Sequence, residues 1–258
     1  MTGEEYAGKH RRTGAGAIPA PRWSRVPRKS TPPEARPLAA QVVVIAKEPV
    51  AGRVKTRLTP PFTPAQAAAL AEAALVDTLA AVAVTPVARR VLALDGRPGR
   101  WLPAGFDVIG QRGAGLDERI VWALTDAQQS LAVPVVLIGM DTPQVTPGLL
   151  AAAAEPLVSD TADATFGMAE DGGFWLLGLR KIDPALVLGI PMSRSDTGSR
   201  QLARLERAGL RVRRLPELID VDTVAEAEHI AAATPGSAFA TCLTGLRYRA
   251  AQAGAVAR

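Results

Sequence analysis

Four basic side chains lie close together in a loop that directly follows an apolar run of the sequence. The loop AKEPVAGRVKTRL covers residues 46–58, follows VVVI, and contains Lys47, Arg53, Lys55 and Arg57. Arginine can bind two phosphate oxygens at once, and lysine supplies a compact point charge. If the loop is extended, the alternation of Arg53, Lys55 and Arg57 places all three on one side. We expect the loop to bind nucleotide phosphates; the alternative is a solvated basic turn.

Two aspartates follow apolar segments in the second half of the sequence. Asp141 comes after VVLIGM, and Asp222 lies within IDVDT. Thr146 and Thr223 can cap the helices that follow, which leaves both aspartates free for another role. Carboxylates without histidine or cysteine nearby are the ligands that hard cations prefer. We therefore expect Asp141 and Asp222 to hold Mg²⁺ or Mn²⁺, with a turn or capping role as the alternative; Asp220 is a weaker candidate.

A further acidic segment, EDGG, contains Glu170 and Asp171 followed by Gly172 and Gly173. The glycines suit a tight turn between strands, or a close approach of the backbone to a ligand. A turn alone does not account for two adjacent acids. We expect Asp171 or Glu170 to be catalytic, by orienting the acceptor or by removing its proton.

Gly113 and Gly115 precede a predicted helix in the segment GQRGAGLDERI, residues 110–120. Their spacing differs from G-x-G-x-x-G, so a Rossmann dinucleotide site is not expected. We expect these glycines to contact a nucleotide through backbone groups.

Composition limits the kinds of site and partner. The 258 residues include one cysteine and two histidines, which leaves no internal disulfide and no zinc site of the usual ligands. The net charge of +5 equals that of residues 1–38, where eight Lys or Arg accompany three Glu, so residues 39–258 are neutral overall. We expect residues 1–38 to be a disordered basic tail, and we expect no specific nucleic-acid partner. No apolar run of signal-peptide length occurs in that tail, so we expect a cytoplasmic protein.

The longest apolar helical pattern is predicted to begin at Thr63, with Pro64 in the first turn and Gln66 completing a capping box. Glu72 and Asp77 interrupt its apolar residues. We therefore expect a helix packed in the core and not a membrane span.

Apolar runs alternate with helical patterns over residues 39–235. Runs such as VPVVLIG are apolar throughout, which is typical of strands that are buried on both faces. The alternation predicts one α/β domain with a mostly parallel sheet and helices on both faces. LRVRRLP alternates in charge, which predicts a strand near an edge of the sheet. Ligands of such sheets bind beyond the carboxyl ends of the strands. Residues 236–258 are predicted to form a tail that docks as a helix.

Five segments resemble, in the same order, those of the family named domain of unknown function 2064. They span roughly residues 41–231 and read VVVIAKEPVAGRVKTRLTPPFT, GLDERI, VLIGMDTPQVTPGLL, AEDGGFWLLGL and IDVDTVAEAEHI. Members of that family are described as glycosyltransferase-like, or as transferases associated with radical-SAM and selenium domains. The basic loop and DVDT also resemble the guanylyltransferases that activate phospholactate or phosphoenolpyruvate in deazaflavin-cofactor synthesis.

Both groups have the GT-A fold of the nucleotide-diphospho-sugar transferases, so the resemblance implies that fold. It also implies that the basic loop holds nucleotide phosphates and that Asp141 and Asp222 hold a divalent metal. The sequence departs from these groups at two places. GMDTP provides one acid where GT-A glycosyltransferases have Asp-x-Asp, and Phe174 and Trp175 replace the small polar residues of the guanylyltransferases.

Three functions are compatible with these residues. The first is a metal-dependent transferase that moves a sugar from a nucleotide sugar to a small-molecule acceptor. The second is a nucleotidyltransferase of the guanylyl or cytidylyl type, in which a phosphorylated small molecule attacks a nucleoside triphosphate. The third is a nucleotide-binding protein without catalysis, for which Asp171 would be dispensable.

Overall fold

A computed structural model describes residues 36–256 of the chain. Most of the predicted basic tail, residues 1–35, and the last two residues lie outside the described residues. The first strand begins at Leu38, which is slightly before the predicted start of the domain at residue 39. The domain boundaries otherwise stay predictions.

A seven-stranded sheet forms the centre of the fold, in the order β3-β2-β1-β4-β6-β5-β7. Only β6 is antiparallel to its two neighbours, β4 and β5; the other adjacent pairs are parallel. The predicted mostly parallel sheet is therefore confirmed, and the charge-alternating strand β7 lies at an edge as expected. The strands are β1 (Leu38–Lys47), β2 (Val87–Asp95), β3 (Asp107–Gly110), β4 (Val135–Ile138), β5 (Ala164–Met168), β6 (Phe174–Leu179) and β7 (Val212–Arg214).

Helices cover both faces of the sheet. Apolar residues of α1 and α3 pack against one face, and those of α2 and α4 pack against the other. A third cluster joins α1 to α5 and α6, outside the sheet. The helices are α1 (Pro64–Val84), α2 (Leu116–Ser130), α3 (Pro147–Val158), α4 (Thr197–Arg207), α5 (Val224–Ala233) and α6 (Ala238–Val256).

N-cap residues that can be recognised in the sequence mark the starts of several helices. Thr63 and Gln66 form the predicted capping box at α1, and Thr223 and Glu226 form another at α5. The side chain of Thr146 accepts a hydrogen bond from the backbone N–H of Leu149 and caps α3. These caps satisfy N–H groups that the first turn of a helix cannot pair internally.

The helix α1 is long and apolar enough to cross a membrane, but 61% of its most apolar window is buried inside the protein. Its buried residues contribute to two of the apolar clusters. This matches the predicted core helix. A cytoplasmic location stays a prediction.

Candidate functional site

A cleft of about 940 Å³ lies at the carboxyl ends of the parallel strands. The chain leaves β1 toward β2 on one side and leaves β4 toward the strands on the other side. The strand order therefore reverses between β1 and β4, which is where α/β sheets bind ligands. Lys47 ends β1, and Asp141 follows β4 across this switch point. Both residues line the cleft. The structure therefore brings the predicted basic loop and the predicted acids to one place.

Asp141 and Asp222 lie around a single cation, although they are far apart in sequence. After β7 the chain passes the end of β5 and reaches β4, where the backbone N–H of Val221 donates to the carbonyl oxygen of Asp141 at 3.0 Å. The Nζ atom of Lys55 lies 3.0 Å from Oδ1 of Asp141 and 3.1 Å from Oδ1 of Asp222. Only 7% of the Lys55 side chain is exposed. The two predicted metal ligands thus share one buried ammonium group.

The basic loop is not extended at its centre. Lys55 has φ 48° and ψ 41°, in the left-handed region, and residues Thr56–Leu58 form a 3₁₀ turn. Val54 and Leu58, on either side, are buried in apolar clusters and anchor the loop. The condition for the one-sided alternation, an extended loop, is therefore not met. Arg53, Lys55 and Arg57 nevertheless all line the cleft, because of the turn.

Most of the predicted phosphate ligands already have acidic neighbours. Nη1 of Arg57 donates to Oδ2 of Asp222 at 3.1 Å, and Nη2 of Arg53 lies 4.0 Å from Oδ1 of Asp95. Lys47 is exposed at the end of β1. Three of the four basic residues of the loop, all except Lys47, therefore pair with acids of the same cleft.

Burial and charge change the proton affinities of two groups here. Burial would lower the pKa of Lys55, but Asp141 and Asp222 raise the pKa above its ordinary value. Burial, together with the nearby carboxylates of Asp141 and Asp171, raises the pKa of Asp220 to about 7. At the centre of the cleft, the charged form of Lys55 is therefore stabilised, and the carboxyl group of Asp220 is shifted toward its neutral form.

The turn between β5 and β6 separates the two predicted catalytic acids. Asp171 lines the cleft, and its Oδ1 accepts a hydrogen bond from the backbone N–H of Gly173 at 2.8 Å. Glu170 is exposed and lies outside the set of described residues that line the cleft. The geometry thus favours Asp171 over Glu170 as the acid that can contact a ligand.

The glycines of EDGG allow two backbone segments to touch. The carbonyl oxygen of Gly172 accepts a hydrogen bond from the N–H of Gly198 at 2.8 Å. A Cβ atom on Gly172 would lie 1.9 Å from the carbonyl oxygen of Ser195, and one on Gly198 would lie 2.2 Å from that of Gly173. This contact fixes the loop 191–197, whose residues Met192, Ser193, Arg194 and Ser195 line the cleft beside Asp171.

Gly113 and Gly115 serve the start of α2. Gly113 has φ +117°, and Gly115 is the N-cap residue of the helix. Ala114, between them, lines the cleft, and its backbone N–H donates to Oε2 of Glu118 at 2.8 Å. Contact of the two glycines with a nucleotide stays a prediction.

Sequence reasoning missed a polar group at the ends of β2 and β3. Nη1 of Arg119 donates to Oδ2 of Asp95 at 2.9 Å, and Nε2 of Gln111 donates to the carbonyl oxygens of Ala46 and Ala93 at 2.7 and 2.9 Å. Asp95, Gln111 and Arg119 all line the cleft. The same signal that identified Asp141, a polar residue directly after an apolar strand, points to Asp95 and Gln111.

The aromatic residues that replace small polar ones belong to the apolar packing. Trp175 is 2% exposed, and its Nε1 donates to the carbonyl oxygen of Pro216 at 3.0 Å. Gly167 leaves room for it, since a Cβ atom there would lie 2.4 Å from that nitrogen. The ring of Phe174 packs on the other face of the sheet, 5.3 Å from that of Phe166. Both residues are held by apolar packing, and both also line the cleft.

The residues at the centre of the cleft fit a divalent cation. Asp141 and Asp222 already share one cation, and the hydroxyl of Thr142, which is buried in the cleft wall, has no hydrogen-bond partner among the described residues. Within residues 36–256, no three or more His, Cys, Asp or Glu side chains are grouped as metal ligands. The chain would therefore supply two carboxylates, which is a usual number for Mg²⁺ that also binds phosphate oxygens and water.

Comparison with known proteins confirms the predicted resemblance. Residues 68–194 match the family described as "Uncharacterized protein conserved in bacteria (DUF2064)". No protein of curated function matches the sequence. The fold is similar to that of a candidate nucleotide-diphospho-sugar transferase from Desulfovibrio desulfuricans G20, with a TM-score of 0.73 and 27% identity over 80% of this chain and 94% of that protein.

Two further structures have lower similarity. One is Rv0371c from Mycobacterium tuberculosis H37Rv in complex with manganese, with 18% identity, a TM-score of 0.42, and coverage of 74% of this chain and 98% of that one. The other is 2-C-methyl-D-erythritol 4-phosphate cytidylyltransferase from Thermus thermophilus, with 17% identity, a TM-score of 0.45, and coverage of 76% and 98%. The fold and the D. desulfuricans protein support a nucleotide-utilising transferase in general.

Proposed function

We propose that the protein is a metal-dependent transferase that uses a nucleotide-activated donor, and that the donor is a nucleotide sugar. One observation carries the proposal: two carboxylates and the cations of the basic loop meet in one cleft at the switch point of the sheet. A cleft of about 940 Å³ is large enough for a nucleotide sugar. The D. desulfuricans protein, a candidate nucleotide-diphospho-sugar transferase, supports the same class of donor.

The residues of the cleft have distinct tasks in this reaction. Asp141 and Asp222 would hold the divalent cation, which supplies positive charge beside the departing diphosphate. Lys47, Arg53 and Arg57 would bind the phosphate oxygens, Arg57 after leaving Asp222. In sugar transfer, an acceptor oxygen bonds to the anomeric carbon while the bond from that carbon to the diphosphate breaks.

Asp171 would take the proton of the attacking hydroxyl group. Its Oδ1 atom is held by the N–H of Gly173, which fixes the carboxylate and leaves Oδ2 for the acceptor. The loop 191–197 lies beside it in the cleft and would bind the rest of the acceptor.

Nucleotidyl transfer is the second candidate, and the same cations would serve it. Lys47, Arg53, Lys55, Arg57 and Arg119 all line one cleft, and pyrophosphate is a more highly charged leaving group than a nucleoside diphosphate. A phosphate oxygen of the acceptor would then attack the α-phosphorus of a nucleoside triphosphate.

A thermal-shift panel separates the two reactions. Nucleoside triphosphates and nucleotide sugars are added with and without Mg²⁺ or Mn²⁺. A ligand at about 100 times its Kd adds roughly 2.7 kcal/mol of stability, which is about 5–10 °C in Tm for a domain of this size. Larger shifts with UDP- or GDP-sugars support sugar transfer, and larger shifts with GTP or CTP support nucleotidyl transfer.

Asp141→Ala tests the metal site in the same panel. We expect this variant to lose the metal dependence of every shift. Glu155→Gln is a suitable control, because Glu155 is exposed on α3 and lies outside the lining of the cleft. A metal response that is unchanged in Asp141→Ala contradicts the proposed metal site, and no shift with any nucleotide contradicts the proposed function.

A further inference from the structure

The ammonium group of Lys55 occupies the place where a cation would bind between the two acids. Its Nζ lies 3.0 Å from a carboxylate oxygen of Asp141 and 3.1 Å from one of Asp222. Asp222 is also paired with Arg57 at 3.1 Å. Both proposed metal ligands therefore have positive partners from the chain itself, and one of those partners is almost fully buried.

The loop holds this lysine firmly in place. The backbone of Lys55 is in the left-handed region, which a lysine rarely adopts, and such outliers persist only where surrounding structure fixes them. Val54 and Leu58 are buried on either side, and the carbonyl oxygen of Lys55 accepts a hydrogen bond from the N–H of Leu58 at 3.0 Å. An exchange of partners would therefore involve the side chain of Lys55 and not the path of the loop.

We propose that Lys55 is the resident cation of the metal site. Its ammonium group neutralises Asp141 and Asp222 until a divalent cation binds, and that cation displaces it toward the phosphates of the donor. This inference rests on the proposed function, because it concerns the same metal site. Lys55 thereby has a positioning role that couples the binding of the metal ion to the binding of phosphate. A metal ion without phosphate must compete with the ammonium group for the two acids, and phosphate without a metal ion must draw that group away from them.

The coupling predicts effects of opposite sign when Lys55 is replaced by an uncharged residue. Lys55→Met removes the competitor, so Mn²⁺ alone should bind more tightly. The same variant removes a phosphate ligand, so pyrophosphate in the presence of Mn²⁺ should bind more weakly. A residue with only a structural role would weaken both.

The test is a titration of the full chain with Mn²⁺ alone, followed by electron paramagnetic resonance, and a calorimetric titration with pyrophosphate. We expect Mn²⁺ to bind Lys55→Met at least about tenfold more tightly than wild type, because a cation in contact with buried carboxylates competes far more strongly than a screened one. Lys47→Met is the matched control for the titration with Mn²⁺ alone. It removes a charge from the same cleft, but among the described residues its ammonium group contacts neither acid, so Mn²⁺ affinity should change by less than about threefold.

The outcomes distinguish this inference from the proposed function. If Asp141→Asn and Asp222→Asn leave Mn²⁺ binding unchanged in both the wild-type and Lys55→Met backgrounds, the metal site itself is wrong. If those variants abolish binding while Lys55→Met binds Mn²⁺ no more tightly than wild type, the site is right and the role of Lys55 is wrong.

A measurement on the wild-type protein keeps the inference testable if Lys55→Met does not fold. Amine acetylation, followed by mass spectrometry, reports the exposure of each lysine. Lys55 should react slowly in metal-free protein and several-fold faster when Mn²⁺ is bound, relative to the exposed Lys181. An unchanged rate at Lys55 with Mn²⁺ bound would overturn the proposal.

Discussion

For the substitution Gly198→Ala, helix propensity and packing predict changes of opposite sign in the free energy of unfolding. Gly198 is the second residue of α4, and alanine at a helical position is favoured over glycine by up to about 1 kcal/mol. A Cβ atom on Gly198 would lie 2.2 Å from the carbonyl oxygen of Gly173 and 2.9 Å from two side-chain atoms of Met168. The methionine can adapt, but the carbonyl group belongs to the turn that carries Asp171.

The magnitude follows from the movement that the methyl group requires. Non-bonded atoms rest at roughly 3.5 Å, so the turn and α4 must separate by about 1 Å. Overpacking of this kind costs about 1–3 kcal/mol, and the hydrogen bond from Gly198 to Gly172 is strained as well. We expect the free energy of unfolding to fall by about 1–2 kcal/mol after the helix gain is subtracted.

Urea denaturation of Gly198→Ala and Gly148→Ala measures this difference. Gly148 is the second residue of α3, and a Cβ atom there would meet only Oγ1 of Thr146, at 3.9 Å. The control should therefore be neutral or stabilised. If both variants gain stability equally, the close contact between α4 and the EDGG turn is wrong, and with it the explanation of the glycines.

Two further predictions concern charged groups. The pKa of Asp220 is raised to about 7 in the folded protein, so the fold favours the neutral form of this carboxyl group. In the unfolded chain its pKa is about 4. The wild type therefore loses stability as the pH rises from about 4 toward 7. Asp220→Asn lacks this loss. In metal-free buffer, the free energy of unfolding of the variant minus that of wild type should be about 2–3 kcal/mol greater at pH 8 than at pH 5. If urea denaturation gives the same difference between variant and wild type at both pH values, the raised pKa of Asp220 is refuted. Asp77 of α1 accepts hydrogen bonds from the N–H groups of Ala238 and Phe239 at 2.9 and 2.8 Å. Asp77→Asn should therefore lower the free energy of unfolding by about 1–3 kcal/mol and expose α6 to proteolysis. Glu72→Gln, on the exposed side of α1, should have neither effect.

Local patterns predicted the parts of the fold that local interactions determine. The capping boxes at Thr63 and Thr223 depend on residues three positions apart, and both are present. Strands such as β4 are apolar because they are buried on both faces, and this gave the mostly parallel sheet and the edge where ligands bind. The edge position of β7 followed from its alternating charges.

Local patterns could not predict contacts between residues that are far apart in the sequence. The sequence indicated that Lys55 would meet phosphates and that Asp141 and Asp222 would meet a metal, but opposite charges can also pair with each other, as they do here. Nothing in EDGG shows whether Glu170 or Asp171 faces the cleft, because the geometry of the turn decides it. Gly172 has φ +86°, which a tight turn explains, but its close contact with Ser195 depends on a segment outside the hairpin.

A crystal structure of the protein with Mn²⁺ and the nucleotide that gives the largest thermal shift would test the metal site at Asp141 and Asp222 most directly. An anomalous map locates Mn²⁺ independently of the protein density. We expect a Mn²⁺ peak within about 2–2.5 Å of an oxygen of Asp141 and one of Asp222, with phosphate oxygens between it and the basic loop. An ordered nucleotide elsewhere on the protein, or Mn²⁺ bound away from both aspartates, would contradict it.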